Sequence, residues 1–273
     1  MAKLFPVAVV TGASRGIGKA IVKKLSSEGV SCVALASSRK SISNIKLGDH
    51  LHVLHDAQRH RSLAIDFSDW PKWTQIKKHY GIDYQMPKAP LIESNYVASE
   101  FGLFDMLRSW SSPENKYYLA LLVNCAGITQ ASLSVRTDPT TMARILNVNL
   151  MSCVSLCNMA IKHMVRDRKF VRRNPSIINI GSILGTESSP VVAGTSLYAA
   201  SKAALNHYSR VLSEEISGLD IAVETVNPGL VPQSDMIKML DISIQEQLRH
   251  SMGPESTSTE KIASIIWDLY TRA

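Results

Sequence analysis

Short runs of aliphatic and β-branched residues recur along the chain, and longer stretches with apolar residues at helical spacing lie between them. The short runs cover residues 7–10, 31–35, 63–66, 121–124, 176–180 and 221–226, and the helical stretches cover 16–27, 141–165 and 197–217. Strands this short and almost continuously apolar are those buried on both faces, as in a parallel sheet, whereas half-exposed strands alternate. Parallel strands need long crossovers, which helices supply. The pattern therefore predicts an α/β fold: a doubly wound parallel sheet with helices on both faces, three layers deep.

Residues 69–116 break the rhythm. They hold Pro71, Pro87, Pro90 and Pro113, three tryptophans and several tyrosines, without sustained periodicity. A structureless loop of that length is rare in a compact domain, so part of it is expected to form helix and pack its aromatics. The rest of the 273 residues suits a single domain with this stretch as an insertion.

Composition narrows the function. Apolar residues make up 45% and charged residues 19%, an ordinary globular balance. Cys32, Cys125, Cys153 and Cys157 are too scattered for a disulfide scaffold, and no neighbouring Cys or His completes a metal site around Cys153 and Cys157. No apolar run approaches the roughly 20 residues that a bilayer requires, so no membrane span is expected. Nor does the stretch 5–10, which runs straight into a glycine turn, carry the small-residue cleavage site of a secretory signal. A net charge of +7 admits an acidic or phosphorylated partner. Nucleic acid is not expected, because no zinc finger, RNA-binding motif or basic segment interleaved with stacking aromatics is present.

The first strand leads directly into Thr11-Gly12-Ala13-Ser14-Arg15-Gly16-Ile17-Gly18 and then a helix. Glycines at 12, 16 and 18 permit a tight turn and close backbone approach, and the helix N-terminus then offers free amides to a pyrophosphate. This suits a Rossmann-like dinucleotide site, with GxxxGxG spacing in place of GxGxxG, or else an ordinary glycine-rich strand-to-helix turn. The second strand ends in Ala36-Ser37-Ser38-Arg39-Lys40. A carboxylate there would bind an unphosphorylated ribose and repel a 2′-phosphate; hydroxyls with Arg15 and Arg39 nearby suit the phosphate instead, so NADP(H) is the expected cofactor, although Arg39 and Lys40 also suit the start of a solvated helix. Asp66-Phe67 and Asn124-Cys125-Ala126-Gly127 close the third and fourth strands at their carboxyl ends, where such sheets bind ligands. Asp66 also suits the cap of a following turn.

Tyr198 and Lys202 stand four apart in a stretch of good helix formers, which puts them on one face. An ammonium beside a phenol favours the phenolate, so Tyr198 can donate a proton while a carbonyl carbon is reduced. Tyr84 and Lys88 repeat the spacing, but Pro87 breaks any helix between them. Only the first pair follows a glycine-serine turn, Gly181-Ser182, at a strand end.

Together these motifs resemble the short-chain dehydrogenase/reductase family, from the first strand to about Met236 with 69–116 excepted. The resemblance implies an enzyme with a catalytic set of Asn149, Ser182, Tyr198 and Lys202, with Ser182 bonding the substrate carbonyl and Asn149 holding a water that feeds protons through Lys202. It implies that Asp66 touches adenine, that Asn124 braces the sheet and that Ala126 and Gly127 lie along the cofactor. Tyr198 and Lys202 also count among its contacts, as do Pro228, Gly229, Val231 and Ser234 beside the nicotinamide. That last segment is one residue longer than the commonest form, and the interval from Ser182 to Tyr198 a few residues longer. Within the family the chain looks most like the 3-oxoacyl-[acyl-carrier-protein] reductases, the fungal mitochondrial ones in particular. That likeness implies reduction of 3-oxoacyl to 3-hydroxyacyl thioester in fatty acid synthesis, a homotetramer and the mitochondrial matrix. Arg166, Arg168, Lys169, Arg172 and Arg173 are then a docking surface for the acidic carrier protein, or else a solvated basic loop. Two other readings stay open: an NADPH-dependent carbonyl reductase of quinones, steroids or small ketones, and a non-catalytic dinucleotide-binding regulator.

Overall fold

In a computed structural model the chain is described over residues 2–74, 79–84, 91–94, 102–130, 132–168, 171, 173–188, 190–232, 234–238, 242–252 and 257–273. Strands β1 (Lys3–Val10), β2 (Ser31–Ala36), β3 (His60–Ala64), β4 (His79–Asp83), β5 (Leu91–Ser94), β6 (Asn115–Asn124), β7 (Ser176–Ile180) and β8 (Ala222–Val226) form one sheet. Their order is β5-β4-β3-β2-β1-β6-β7-β8. From β3 through β8 the neighbours run parallel, as the apolar runs predict, and the order reverses direction between β1 and β6. A crevice opens at such a switch point, outside the carboxyl ends of the strands.

Helices α1 (Gly16–Ser27) and α9 (Thr259–Arg272) cover one face, α3 (Gly102–Trp110), α5 (Ser152–Asp167) and α6 (Ser196–Glu215) the other. Shorter helices α2 (Arg39–Ser43), α4 (Pro139–Leu146), α7 (Asp235–Lys238) and α8 (Ile242–Met252) complete the described set. The pleat divides β1 between the two faces: Val7 and Val9 join the α5 side, Ala8 and Val10 the α1 side. In β6 a bulge opposite Val7 and Ala8 breaks this alternation, so Ala120 and Leu121 both face α1. Pro6 is tolerated in this central strand because β1 pairs with β2 only from Val7 onward, which leaves one edge without ladder bonds at position 6.

The region 69–116 does contain a helix, and it does pack aromatics. Phe104 of α3 is buried with its ring 5.2 Å from that of His163, and Trp110 meets Tyr117 edge-on at 5.8 Å. Trp70 donates from Nε1 to Ser155 Oγ at 3.0 Å. Sequence reading did not anticipate the antiparallel pair β4 and β5, which extends the sheet beyond β3. Tyr84, just past β4, donates its hydroxyl to the carbonyl of Ile45; Lys88 lies outside the described residues. The expectation about membrane spans also needs correcting on length. The continuous helical stretch Pro139–Asp167 has 29 residues and is apolar enough to cross a bilayer, but half of its most apolar window is buried inside the fold. That is the composition of a core helix.

His60 on β3 is fully buried. Its Nδ1 accepts from the Cys32 amide at 3.1 Å and its Nε2 donates to the His52 carbonyl at 2.9 Å, which requires the neutral ring. Burial lowers its pKa from 6.5 to about 4. Between those values the unfolded chain binds the proton and the folded chain does not, so stability is lost as pH falls through that window. The loss is expected to reach on the order of 3 kcal/mol. Melting curves from pH 7 to pH 4 should show a steeper decline for the native chain than for His60→Gln, and parallel curves would refute the assignment.

Candidate active site

The strand ends of β1, β2, β3, β6, β7 and β8 surround a cleft of about 690 Å³. Its floor is the turn after β1. Gly12 (φ 66°) and Gly16 (φ 54°) adopt left-handed backbone, which a side chain would strain. A Cβ on Gly12 would lie 2.9 Å from Ala126 Cα, so only glycine allows this turn to touch the segment leaving β6. The buried hydroxyl of Thr11 completes the seam by accepting from the amides of both Cys125 and Ala126, each at 2.8 Å.

Helix α1 begins at this turn with no side-chain cap and no acidic residue in its first turn. Its first amides and the positive end of its dipole are therefore available to an anion. A Cβ on Gly16 would meet nothing within 4 Å and would protrude into the cleft, so that glycine leaves a space beside those amides. A pyrophosphate fits there by shape and charge.

Gly12, Ser14, Arg15, Gly16, Ile17, Gly18, Ser37, Ser38, Asp66, Phe67, Ala126, Gly127, Ser182, Tyr198, Lys202, Pro228, Gly229, Val231 and Ser234 all line this one cleft. Three predicted site residues do not. Arg39 opens α2 beyond the lining, and the nearer cation is Arg15, paired with Asp235 of α7 at 3.3 Å. Asn124 is buried behind the wall, donating to Asn179 Oδ1 at 2.8 Å, which in turn is tied to Ser209 of α6. That is the bracing role the resemblance implies. Asn149 is also fully buried, at the centre of a π-helical turn, Asn147–Met151. Its side chain clamps Ile128 by accepting from its amide (2.9 Å) and donating to its carbonyl (3.0 Å), and it gives its other hydrogen to Ser201 Oγ. Its amide hydrogens are thus already committed within the protein.

Asp66 lines the cleft and also accepts from the Ser68 amide at 2.9 Å, so it is a turn cap as well. Ser38 caps α2 in the same way, accepting from the Ser41 amide.

Ser182, Tyr198 and Lys202 gather at the far end. Lys202 Nζ donates to the carbonyl of Ile180, the last residue of β7, at 2.8 Å, and stands 6.0 Å from the centre of the Tyr198 ring. Ser182 Oγ accepts from the Leu184 amide at 3.2 Å, leaving its own proton to donate into the cleft. Asn227 accepts from the Ser182 amide at 3.0 Å and fixes that turn. Gly181 leaves room for these side chains, since a Cβ would fall 2.0 Å from Asn227 Oδ1 and 2.5 Å from Asn206 Oδ1 and would displace them. Leu184, Val192, Leu230, Met236 and Ile237 form an apolar wall around Tyr198. Cys125 lines the cleft beside Lys202, but burial pushes its thiol up to about 12, which rules it out as a neutral-pH nucleophile. Among the described residues no three His, Cys, Asp or Glu side chains come together as a metal site would require.

The basic run after α5 is drawn into the fold where it is described. Arg168 donates to Asn174, to the Val171 carbonyl and to Asp220; Arg166 bonds His163; Arg173 lies over the Tyr270 ring at 5.4 Å. Lys169 and Arg172 lie outside the described residues.

An anion-binding turn at one end of a cleft and a Tyr, Lys and Ser at the other define a dinucleotide-dependent oxidoreductase. The family pattern of the short chain dehydrogenases matches residues 6–81 and 111–243, leaving out most of the stretch that carries β5 and α3. The chain belongs to that family. It is 29% identical over 237 residues to the 3-oxoacyl-[acyl-carrier-protein] reductase FabG of Vibrio cholerae, covering 86% of this chain and 77% of that one. It is 29% identical over 234 residues to carbonyl reductase family member 4 of Xenopus laevis, covering 84% and 77%. Among solved structures, a short chain dehydrogenase from Burkholderia cenocepacia in complex with NADP matches with a TM-score of 0.69 at 22% identity, over 96% of this chain and 89% of that one.

Gly18 supports the turn from inside: a Cβ there would sit 2.3 Å from the Gly12 carbonyl oxygen and 2.8 Å from its carbon. Gly18→Ala is expected to cost about 1–3 kcal/mol of ligand-free stability through overpacking against backbone. Urea denaturation of the two proteins measures it, and an unchanged midpoint would mean that the turn gives way without cost.

Proposed function

We propose that this protein reduces a 3-oxoacyl thioester, carried on acyl carrier protein, to the 3-hydroxyacyl thioester in fatty acid synthesis, with NADPH as reductant. The observation that carries the reading is the meeting of Ser182, Tyr198 and Lys202 in the cleft that also holds the phosphate turn. The bound dinucleotide supplies the hydride for the carbonyl carbon. Ser182 donates a hydrogen bond to the carbonyl oxygen, Tyr198 delivers the proton to it, and the Lys202 ammonium stabilises the charge then left on the tyrosine oxygen. The 2′-phosphate is assigned to Ser37, Ser38 and Arg15, with no carboxylate in Ala36-Ser37-Ser38 to repel it.

The carrier-bound substrate is supported by the likeness to reductases of that name, and by a net charge of +7 that would steer an acidic carrier. The proposal extends to a homotetramer in the mitochondrial matrix, on the resemblance alone. The second reading, reduction of quinones or small ketones, is favoured by the apolar wall around Tyr198 and by the likeness to carbonyl reductase family member 4.

Steady-state rates with acetoacetyl-acyl carrier protein, its pantetheine thioester and a quinone, each with NADPH and NADH, separate these readings. The thioesters should be reduced and NADPH should be preferred; turnover of the quinone alone would sink the carrier-protein assignment. Tyr198→Phe should lower kcat about 10²- to 10⁴-fold with dinucleotide affinity retained. Undiminished turnover would remove Tyr198 from the chemistry. Ser37→Asp, which puts a carboxylate at the end of β2, should weaken NADPH binding at least about tenfold and spare NADH. Equal affinity for NADPH in both proteins would move the phosphate elsewhere.

A further inference from the structure

Tyr198 sits in the first turn of α6, where backbone N–H groups have no partner within the helix. A residue at the N-cap usually meets this need with its own side chain, accepting from the second or third helical amide. Thr195 does not: its hydroxyl donates to the Val192 carbonyl at 2.8 Å and caps nothing. Nor does the first turn carry an acidic residue.

The missing cap comes from 67 residues away. Gln130 is buried, and its Oε1 accepts from the amide of Leu197 at 2.6 Å and from that of Tyr198 at 3.4 Å. These are the second and third residues of α6, the two amides an N-cap side chain would serve. The orientation of the amide is fixed by chemistry, because only its oxygen can accept from N–H. Its nitrogen donates to the Ser132 carbonyl (2.8 Å), Thr137 Oγ1 (3.3 Å) and Ser196 Oγ (3.4 Å), so the group is fully used.

Gln130 ends the segment that borders the cofactor cleft. Cys125, Ala126, Gly127, Ile128 and Thr129 line the cleft immediately before it, and Asn149 clamps Ile128 by both backbone groups. One short, doubly anchored stretch thus runs from the dinucleotide side to the helix that bears the tyrosine. We infer that Gln130 is a positioning residue, an N-cap supplied in trans that sets the Tyr198 hydroxyl relative to the cofactor. This inference rests on the proposed reductase reading.

Two variants separate positioning from general support. Gln130→Leu keeps the size and removes every hydrogen bond, whereas Gln130→Glu keeps an acceptor aimed at the helix N-terminus and loses the donor. Gln130→Leu should lower kcat for the acetoacetyl pantetheine thioester roughly 10- to 100-fold, as a small misplacement of a reacting group does. Its KM and Kd for NADPH should stay within about twofold, because the phosphate turn is untouched. Gln130→Glu should recover most of kcat. A Leu variant with native kcat, a Glu variant as impaired as the Leu variant, or equal losses in kcat and NADPH affinity would each overturn the inference. Amide hydrogen exchange gives a readout independent of activity: in Gln130→Leu the Leu197 and Tyr198 amides should exchange faster while the later turns of α6 keep their protection. Unchanged exchange there would overturn the cap even in a chain that reduced no thioester, so failure of the reductase reading and failure of the cap are told apart. Gln130→Asn, one methylene shorter, provides a graded version of both measurements if the leucine variant does not fold.

Discussion

The site depends on the seam between β1 and β6, where one hydroxyl replaces a ladder. Parallel strands fan apart at the switch point, and their last amides lose their partners there. Thr11 takes up two of them, from Cys125 and Ala126, while Gly12 brings its backbone against Ala126 at a distance no side chain permits. The turn that offers amides to an anion is thereby fixed to the segment that runs toward the tyrosine helix. Without this seam the two ends of the cleft would be set by separate loops.

Electrostatics within the cleft are unevenly committed. Lys202 is buried and tied to a strand carbonyl, so its charge is held in place. Arg15 is different: its pairing with Asp235 is between side chains 62% and 46% exposed, and such a pair is worth about 0–1 kcal/mol. A phosphate dianion offers that guanidinium a stronger, charge-assisted partner. The weak pair can therefore exchange for a ligand at little cost, while the strong anchor beside Tyr198 cannot be drawn away.

Much of this was readable in the residues, and the exceptions have physical reasons. The boundaries of α1 and β7 match the periodicity to the residue, because Gly16 and the buried run 176–180 leave no alternative. Strands β1 and β6 are longer than predicted: they pair with each other from Lys3 and Asn115 onward, so the ladder carries the strand conformation through Pro6 and through the polar start at Asn115 and Lys116. The pair β4 and β5 was missed because His79, Tyr80, Gly81 and Asp83 do not alternate, and pairing with β3 decides the conformation. Of the cleft, the glycine turn and the tyrosine helix were legible as motifs. Thr11, Gln130 and Asn227 do not stand out as site residues in the sequence, although each makes a hydrogen bond that shapes the cleft. Thr11 and Asn227 adjoin the glycine motifs, which is a usable signal; Gln130 has none, because its partner helix lies 67 residues on. Arg39 follows Ser38, whose side chain caps α2, and opens that helix outside the cleft lining, as the start of a helix there would.

Lys202, Ser182 and Tyr198 are anchored beside three different strand ends. Lys202 reaches the carbonyl of Ile180 at the end of β7, Ser182 is held by Asn227 just past β8, and the Tyr198 amide meets Gln130 beyond β6. Adjacent strands in a sheet are spaced about 4.8 Å apart by their hydrogen bonds, and that spacing yields little. The relative positions of the Tyr198 helix, the Lys202 ammonium and the Ser182 hydroxyl are therefore set by the most rigid part of the fold. The added strands β4 and β5 join the sheet on the far side of β3, away from β6, β7 and β8. A chain can carry such an addition at one edge of the sheet while the arrangement of Ser182, Tyr198 and Lys202 keeps its geometry.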